Sequence, residues 1–339
     1  MLLTQWVRVS ACTQRTVHGL RLRHACLRRR GPPLRSAIIR DAVGQVLETI
    51  TSGAAATKYS YDGAGRVTTI YTTDGGAVDN GGTPELSWAA SRNVGADVVL
   101  QQVEYTYDAD GNVLMTTTRQ RFDDDGNTTD ALGTPTSGTA ARVSYATNYY
   151  DAAGRITASV NIGTNAGTAY TRPSSVPSRS DTLLVTSYSY NDAGEMDEVT
   201  DPKGIVTKTL YDNLGRTTET IEDYTDGTPT NSSNRTTAYT YDGDGNQTSI
   251  TAVMPSGTDN QTTQYIYSGF ATGAIQSNDL LRLVEYPDKD TGEASTSASD
   301  YVATTYDDQG ETLTTTDQNG STHTYTYDAL GRLILDAVT

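Results

Sequence analysis

The feature that most constrains this chain is a five-residue pattern, Tyr, then Asp or Asn, then two free residues, then Gly. It recurs at Tyr61 to Gly65, Tyr107 to Gly111, Tyr150 to Gly154, Tyr190 to Gly194, Tyr211 to Gly215, Tyr241 to Gly245, Tyr306 to Gly310 and Tyr327 to Gly331. In its last copy the pattern ends a strict alternation. His323, Tyr325 and Tyr327 share one parity and Thr322, Thr324 and Thr326 the other, before Asp328, Ala329, Leu330 and Gly331 interrupt it. Successive side chains of a β-strand point to opposite faces, so the rings line one face and the threonines the other. Asp at the first position of a type I turn accepts backbone hydrogen bonds, and Gly at the fourth can take positive φ. The pattern therefore predicts a strand that stops at a tight hairpin turn, with the alternation resuming at Leu333 and Leu335.

The spacing gives the architecture. Tyr190 to Tyr211 and Tyr306 to Tyr327 are both 21 residues, and a second turn lies inside each interval, Asp201 to Gly204 and Asp317 to Gly320. Two strands of about six residues and two four-residue turns fill such a unit, which matches ordinary hairpin dimensions. Consecutive strands then pair antiparallel in a long meander. Elsewhere the interval lengthens, with added stretches rich in Gly, Ser, Thr, Pro and Asn at Asp74 to Pro84, Thr129 to Thr139 and Thr225 to Asn234. We read these as extended hairpin loops where variation is tolerated. A worn copy, Arg40, Asp41, Ala42, Val43, Gly44, opens the array, and Tyr265 to Gly269 keeps only the aromatic and the Gly.

Composition bears on two further points. Leu, Ile, Val and Phe supply only about one residue in six, which with a net charge of −16 would suit a disordered chain. The 22 Tyr, many paired at i and i+2, argue for order instead, and the sequence expects Tyr to replace the usual aliphatic core. Residues 1–36 form a separate composition: eight Arg, no acidic residue, both cysteines (Cys12 and Cys26) and two of the three histidines. All 41 acidic residues lie beyond it, against 17 basic ones (25 less 8), a net of −24 (17 less 41). Arg8, Arg15, Arg21 and Arg23 interrupt every apolar stretch that a secretory signal would need. A basic arm for nucleic acid at Arg28, Arg29 and Arg30 would carry a strongly acidic body that repels phosphate. We read the segment as foreign to the array, such as a mis-assigned start or an out-of-frame join, and expect it to be poorly packed. No apolar run is long enough to span a membrane.

Repeated Tyr-Asp-x-x-Gly-Arg units, with Arg66, Arg155, Arg216 and Arg332 after the Gly and a Thr-Asp-Pro-x-Gly turn at Thr200 to Gly204, resemble the RHS family, also called YD-repeat proteins. The resemblance covers roughly residues 37–339. It implies a β-ribbon spiralling into a hollow shell that, in bacterial toxin members, encloses a C-terminal effector, with relatives among the teneurins. It further implies a secreted or cell-surface protein of bacterial origin, and as partners the remainder of the RHS polypeptide or that effector. No terminal core or self-cleavage site is recognisable, and the Asp201, Pro202 pair belongs to an ordinary repeat turn. On this reading the chain is a fragment of a larger wall.

The residues expected to carry the structure are Tyr61, Asp62, Gly65, Tyr107, Asp108, Gly111, Tyr150, Asp151, Gly154, Tyr190, Gly194, Tyr211, Asp212, Gly215, Tyr241, Asp242, Gly245, Tyr306, Asp307, Gly310, Tyr327, Asp328 and Gly331. No catalytic residue, cofactor or metal ligand is expected. His323 is the array's only histidine, and its place on a strand beside Tyr325 suits a packed or surface residue better than a catalytic base. Asp108, Asp110, Asn112 and Asp242, Asp244, Asn246 open like a calcium loop, but Val113 or Gln247 stands where such a loop needs Gly, and Arg119 or Val253 where it needs Glu. Asp-rich turns explain them, and Asp123, Asp124 and Asp125 likewise. The competing function is glycan binding by exposed Tyr rings, with glycans as partners; the discriminating observable is whether the Tyr face is buried.

Overall fold

The computed structural model describes residues 36–51, 55–75, 90–123, 128–136, 140–267, 275 and 277–339. The arginine-rich segment up to residue 35, Asp124, Asp125, residues 76–84 and 137–139 of the long loops, and the worn Gly269 lie outside them.

Each turn is built by the aspartate that opens it. Asp62 Oδ1 accepts from the backbone N–H of Ala64 at 2.9 Å and of Arg66 at 3.0 Å, while the Gly65 N–H donates to the Asp62 carbonyl at 3.0 Å. Asp212 repeats this with Leu214 and Arg216, and Asp328 with Leu330 and Arg332. The fourth residue is left-handed in all eight copies, with φ from 74° at Gly331 to 96° at Gly245. That combination is a type I turn closed by a glycine bulge, and it leaves a register shift at the preceding tyrosine, as between Ser60 and Tyr61 or Leu210 and Tyr211. Every copy pairs its Tyr with the residue six positions on, for example Tyr61 with Val67, Tyr211 with Thr217 and Tyr327 with Leu333.

The chain divides into two compact units, Met1–Val185 and Thr186–Thr339. The first contains strands β1 (Ser36–Arg40), β2 (Val46–Thr51), β3 (Ala56–Tyr61), β4 (Val67–Thr73), β5 (Val99–Tyr107), β6 (Val113–Arg121), β7 (Ala141–Tyr150) and β8 (Ile156–Gly163). Each pairs antiparallel with the next. The second contains β9 (Leu184–Tyr190, whose first two residues precede the boundary), β10 (Met196–Thr200), β11 (Val206–Tyr211), β12 (Thr217–Glu222), β13 (Arg235–Tyr241) and β14 (Gln247–Val253). It continues through β15 (Gln261–Ile266), β16 (Leu283–Glu285), β17 (Tyr301–Tyr306), β18 (Thr312–Thr316), β19 (Thr322–Tyr327) and β20 (Leu333–Val338). Again every neighbouring pair is antiparallel. The expected all-β antiparallel meander is what forms, and the 21-residue unit holds at β9 to β12 and at β17 to β20.

Two expectations are corrected. The core is aliphatic: the fully buried apolar residues are Leu47, Ala56, Val94, Val99, Leu132, Ala141, Val143, Ala158, Val160, Ile162, Val185 and Ile221, joined by Tyr149, which is not a repeat tyrosine. The repeat tyrosines are half-buried, because the turn bulge sets them at the ends of strands. The long connections are also more than tolerated insertions. Val94, ahead of β5, and Leu132, between β6 and β7, pack with Val99 and Ala141 in one buried cluster, against which Tyr71 and Ala131 rest. These described parts of the connections supply apolar surface that the Thr-rich strands lack.

Candidate functional site

The repeated chemistry of the chain is concentrated where one turn meets the next repeat. The phenols of seven of the eight repeat tyrosines donate to a carbonyl at or just before the start of an earlier strand. Tyr61 reaches Val46 O at 2.7 Å, Tyr150 reaches Val113 O at 3.0 Å, and Tyr211 reaches Met196 O at 2.8 Å. Tyr241 reaches Thr217 O, Tyr306 reaches Leu281 O and Tyr327 reaches Thr312 O, at 2.8, 2.9 and 2.9 Å, and Tyr107 bonds Val67 O likewise. Tyr190 takes the equivalent place opposite Met196. Burial pushes the phenols of Tyr61, Tyr107, Tyr306 and Tyr327 above their ordinary pKa, so they remain donors at neutral pH.

The arginine after the Gly works in the opposite direction along the chain. Arg66 Nε bonds Asp62 Oδ2 at 2.8 Å, its Nη1 bonds the Asp108 carbonyl at 2.8 Å, and its guanidinium lies 4.6 Å from the centre of the Tyr107 ring. Arg216 does the same with Asp212 at 2.7 Å, the Asp242 carbonyl at 3.0 Å and the Tyr241 ring at 4.7 Å. A planar, always-charged fork suits this triple duty, since it can bond a carboxylate, stack on a ring and still donate to a carbonyl. Sequence reasoning placed the arginines in the motif but missed this reach into the following repeat; the signal was present in the Arg recurring directly after the Gly. Arg155 and Arg332 hold their own Asp151 and Asp328.

Substitutions in this pair keep its hydrogen bond in altered form. Asn112 and Asn246 replace Arg and donate to Asp108 and Asp242 at 2.9 and 3.0 Å. At the copy opened by Asn191 the polarity is reversed, with the Asn191 amide donating to the Glu195 carboxylate at 2.8 Å. In the copy opened by Asp307 the partner is Glu311, whose pKa is raised by desolvation and by the facing Asp307 carboxylate. The carboxylates of Asp62, Asp108, Asp151, Asp212, Asp242 and Asp328 are held below their ordinary range. For Asp62 and Asp212 the main cause is the backbone N–H of the arginine four residues on; for Asp108, Asp242 and Asp328 it is the side chain at that position.

The remaining candidates fall into this framework. The carboxylates of Asp108 and Asp242, which open the calcium-loop look-alikes, accept from the N–H groups of Asp110 and Asn112 and of Asp244 and Asn246. Among the described residues, no group of three or more His, Cys, Asp and Glu side chains is arranged to hold a metal ion. His323 stacks on Tyr325, with ring centres 6.0 Å apart, and its Nδ1 lies 2.9 Å from Asp336 Oδ1 at a half-exposed position. No helix among the described residues is long and apolar enough to cross a membrane.

A second site escaped sequence reasoning. Glu48 on β2 faces Lys58 on β3 in register, and both are buried together with Asp97 at 1, 2 and 2% exposure. Lys58 Nζ lies 2.9 Å from Asp97 Oδ1, 2.7 Å from Asp97 Oδ2 and 3.9 Å from Glu48 Oε1. Burial pushes the Glu48 carboxyl up to about 7. The Glu–Lys pairing could have been found from the ten-residue spacing across a hairpin; Asp97 carries no local signal.

The RHS repeat family model matches residues 40–77 and 306–338. A search of curated proteins returned no match. Among solved structures, the chain is similar to the crystal structure of TcdB2-TccC3 and to that of TcdB2-TccC3 without its hypervariable C-terminal region. Identity is 14% to both, with 90% of this chain and 15% of the other covered, and TM-scores are 0.46 and 0.47. A Photorhabdus luminescens Tc holotoxin pore matches at 14% identity, covering 89% of this chain and 16% of the other, with a TM-score of 0.29. This chain thus spans about a sixth of the length of these structures. Residues 40–77 and 306–338 thus carry RHS repeats, and the Tyr-Asp-x-x-Gly turns with their Tyr-to-carbonyl bonds recur between them.

Proposed function

We propose that residues 37–339 act as a non-enzymatic wall segment of an RHS-type shell, secreted or at a bacterial cell surface, whose partners are the rest of an RHS polypeptide or the effector it encloses. The observation that carries this reading is the use of the recurring side chains within the repeat itself. Six of the repeat phenols bond an earlier strand and that of Tyr306 bonds Leu281 just ahead of one, while the turn carboxylates bond their own turns, so the recurring polar groups serve continuity of the sheet. Residues 1–36 lie outside this wall on the same reading. A wall of this kind needs strand-to-strand adhesion along its whole length, which backbone ladders and Thr pairs such as Thr305–Thr314 at 2.6 Å and Thr251–Thr262 at 3.0 Å also provide.

Tyr211→Ala tests the reading against glycan binding. Loss of the half-buried ring and of its bond to Met196 O should destabilise the protein by about 2 kcal/mol, measured by denaturant unfolding, with no specific signal on a glycan array before or after substitution. Loss of a specific glycan signal at unchanged stability would overturn it.

A further inference from the structure

The repeat places a glutamate opposite a lysine twice, Glu48 with Lys58 and Glu198 with Lys208. In the second pair the two bond each other at 2.8 Å and remain partly exposed, with Lys208 Nζ 4.7 Å from the Tyr224 ring centre. In the first, the connection between β4 and β5 brings Asp97 to the lysine, and Glu48 stands back at 3.9 Å with neither carboxyl oxygen hydrogen-bonded among the described residues. One buried cation facing two buried carboxyls, one of them without a hydrogen bond among the described residues, is a poor arrangement for stability alone. We propose that Lys58 and Asp97 become joined by an intramolecular amide bond that the folded protein forms itself, with Glu48 carrying the proton.

Geometry favours attack. Lys58 Nζ donates to Ala90 O at 2.8 Å and to Asn93 O at 3.1 Å, and both Asp97 oxygens lie within 2.9 Å of it. Once the lysine is neutral, its two hydrogens can stay on the two carbonyls, which leaves its lone pair for the Asp97 carboxyl, whose oxygens lie 2.9 and 2.7 Å from Nζ. Glu48, Lys58 and Asp97 at 1, 2 and 2% exposure, with Ser91 at 1%, make the neighbourhood dry. Exclusion of water disfavours the charged pair and removes the reactant of the reverse hydrolysis.

The step balances without a co-reactant. The Lys58 ammonium passes one proton to the Asp97 carboxylate, leaving amine and acid. Nζ forms the C–N bond at Cγ; protonated Glu48 donates to the departing hydroxyl and takes up the surplus N–H proton; the C–O bond breaks and water leaves. Ammonium plus carboxylate have become amide plus water, and Glu48 ends as it began. Burial supports that role, because a carboxyl raised to about 7 holds a proton to give near neutrality. The bond would close a loop between residues 39 apart and tie β3 to the segment leading into β5.

Intact-mass spectrometry of the full chain tests this. The protein should be lighter than its sequence by one water, and a tryptic digest should contain residues 41–66, uncut at Lys58, joined to residues 93–119. Asp97→Ala and Glu48→Gln should restore the full mass and separate peptides, while Asp97→Asn should condense with loss of ammonia instead of water. A native chain of full mass with separate peptides, or a water loss that fragmentation maps elsewhere, overturns the proposal; a Glu48→Gln chain linked as fully as the native one removes Glu48 from it. The native-chain result stands whether or not the variants fold. The Glu198–Lys208 pair is the internal control, and a link at Lys208 would also count against the role of Asp97.

Discussion

The two units are made of the same repeat and differ in what lies over it. Among the described residues, Ile221 is the one buried apolar residue of the second unit, and all others fall at or before Val185. In the first unit, connection residues Val94 and Leu132 join the buried cluster around Val99, and Tyr170 and Leu183 pack against the one around Val160. In the second unit the regular turns at Asn191, Asp201 and Asp212 follow one another with no such cluster among the described residues, and cohesion rests on ladders, tyrosine bonds and arginine bridges. The same Glu–Lys pair shows the consequence. It is an ordinary surface ion pair at Glu198–Lys208 and a dry, three-membered cluster at Glu48, Lys58 and Asp97. Repeats fix the sheet, and insertions decide its environment.

The largest expected effect separates core from ladder. Leu132→Ala, in a connection, should destabilise the first unit by about 3 kcal/mol, because it opens a cavity in the cluster with Val94, Val99 and Ala141. Leu214→Ala, at a turn tip 76% exposed, should change stability by less than about 0.5 kcal/mol. Equal denaturant midpoints for the two variants would break the comparison.

Next comes pH. Glu48, raised from 4.5 to about 7, binds its proton more tightly when folded, so its contribution is fully present below pH 4.5 and is lost as pH rises through about 7. The turn aspartates have the opposite sign: their depressed folded values make their contribution present above the ordinary value of 3.8 and lost as pH falls through the folded values. Urea unfolding followed between pH 4.5 and 7 should therefore show a decline for the native chain that Glu48→Gln flattens. A decline of the same size in the variant would place its origin elsewhere.

A smaller effect sharpens the turn model. Gly215→Val forces a branched side chain to φ +77° and sets a Cβ 2.9 Å from Glu195 Oε1, at a cost of about 1 kcal/mol or more, whereas Ala193→Ser should be neutral in the same melting experiment. The smallest concerns the arginine bridges. Arg216→Ala removes a carboxylate bond, a carbonyl bond and a ring contact and should cost about 1 kcal/mol; Arg332→Ala, 73% exposed and bonded to Asp328, should cost less than half as much. Matching losses would mean that the reach into the next repeat contributes nothing.

Strand, turn and pairing were determined by the sequence alone, because their causes are local. An Asp that caps its own turn, a Gly that accepts positive φ and a parity of rings against threonines all act within ten residues, and the structure follows them at Asp62, Gly65 and Tyr61 as at Asp328, Gly331 and Tyr327. The tertiary structure decided which atoms meet across the repeats and what is removed from water. That Tyr211 bonds Met196, that Arg66 lies against Tyr107, and that Val94 and Leu132 form the core while the repeat tyrosines are only half-buried depend on stacking strands separated by loops of unequal length. The meeting of Lys58 with Asp97 depends on it most. The two residues are 39 apart, nothing near either one specifies the other, and only the folding of the segment ahead of β5 against β3 removes both from water and turns a common ion pair into a reactive one.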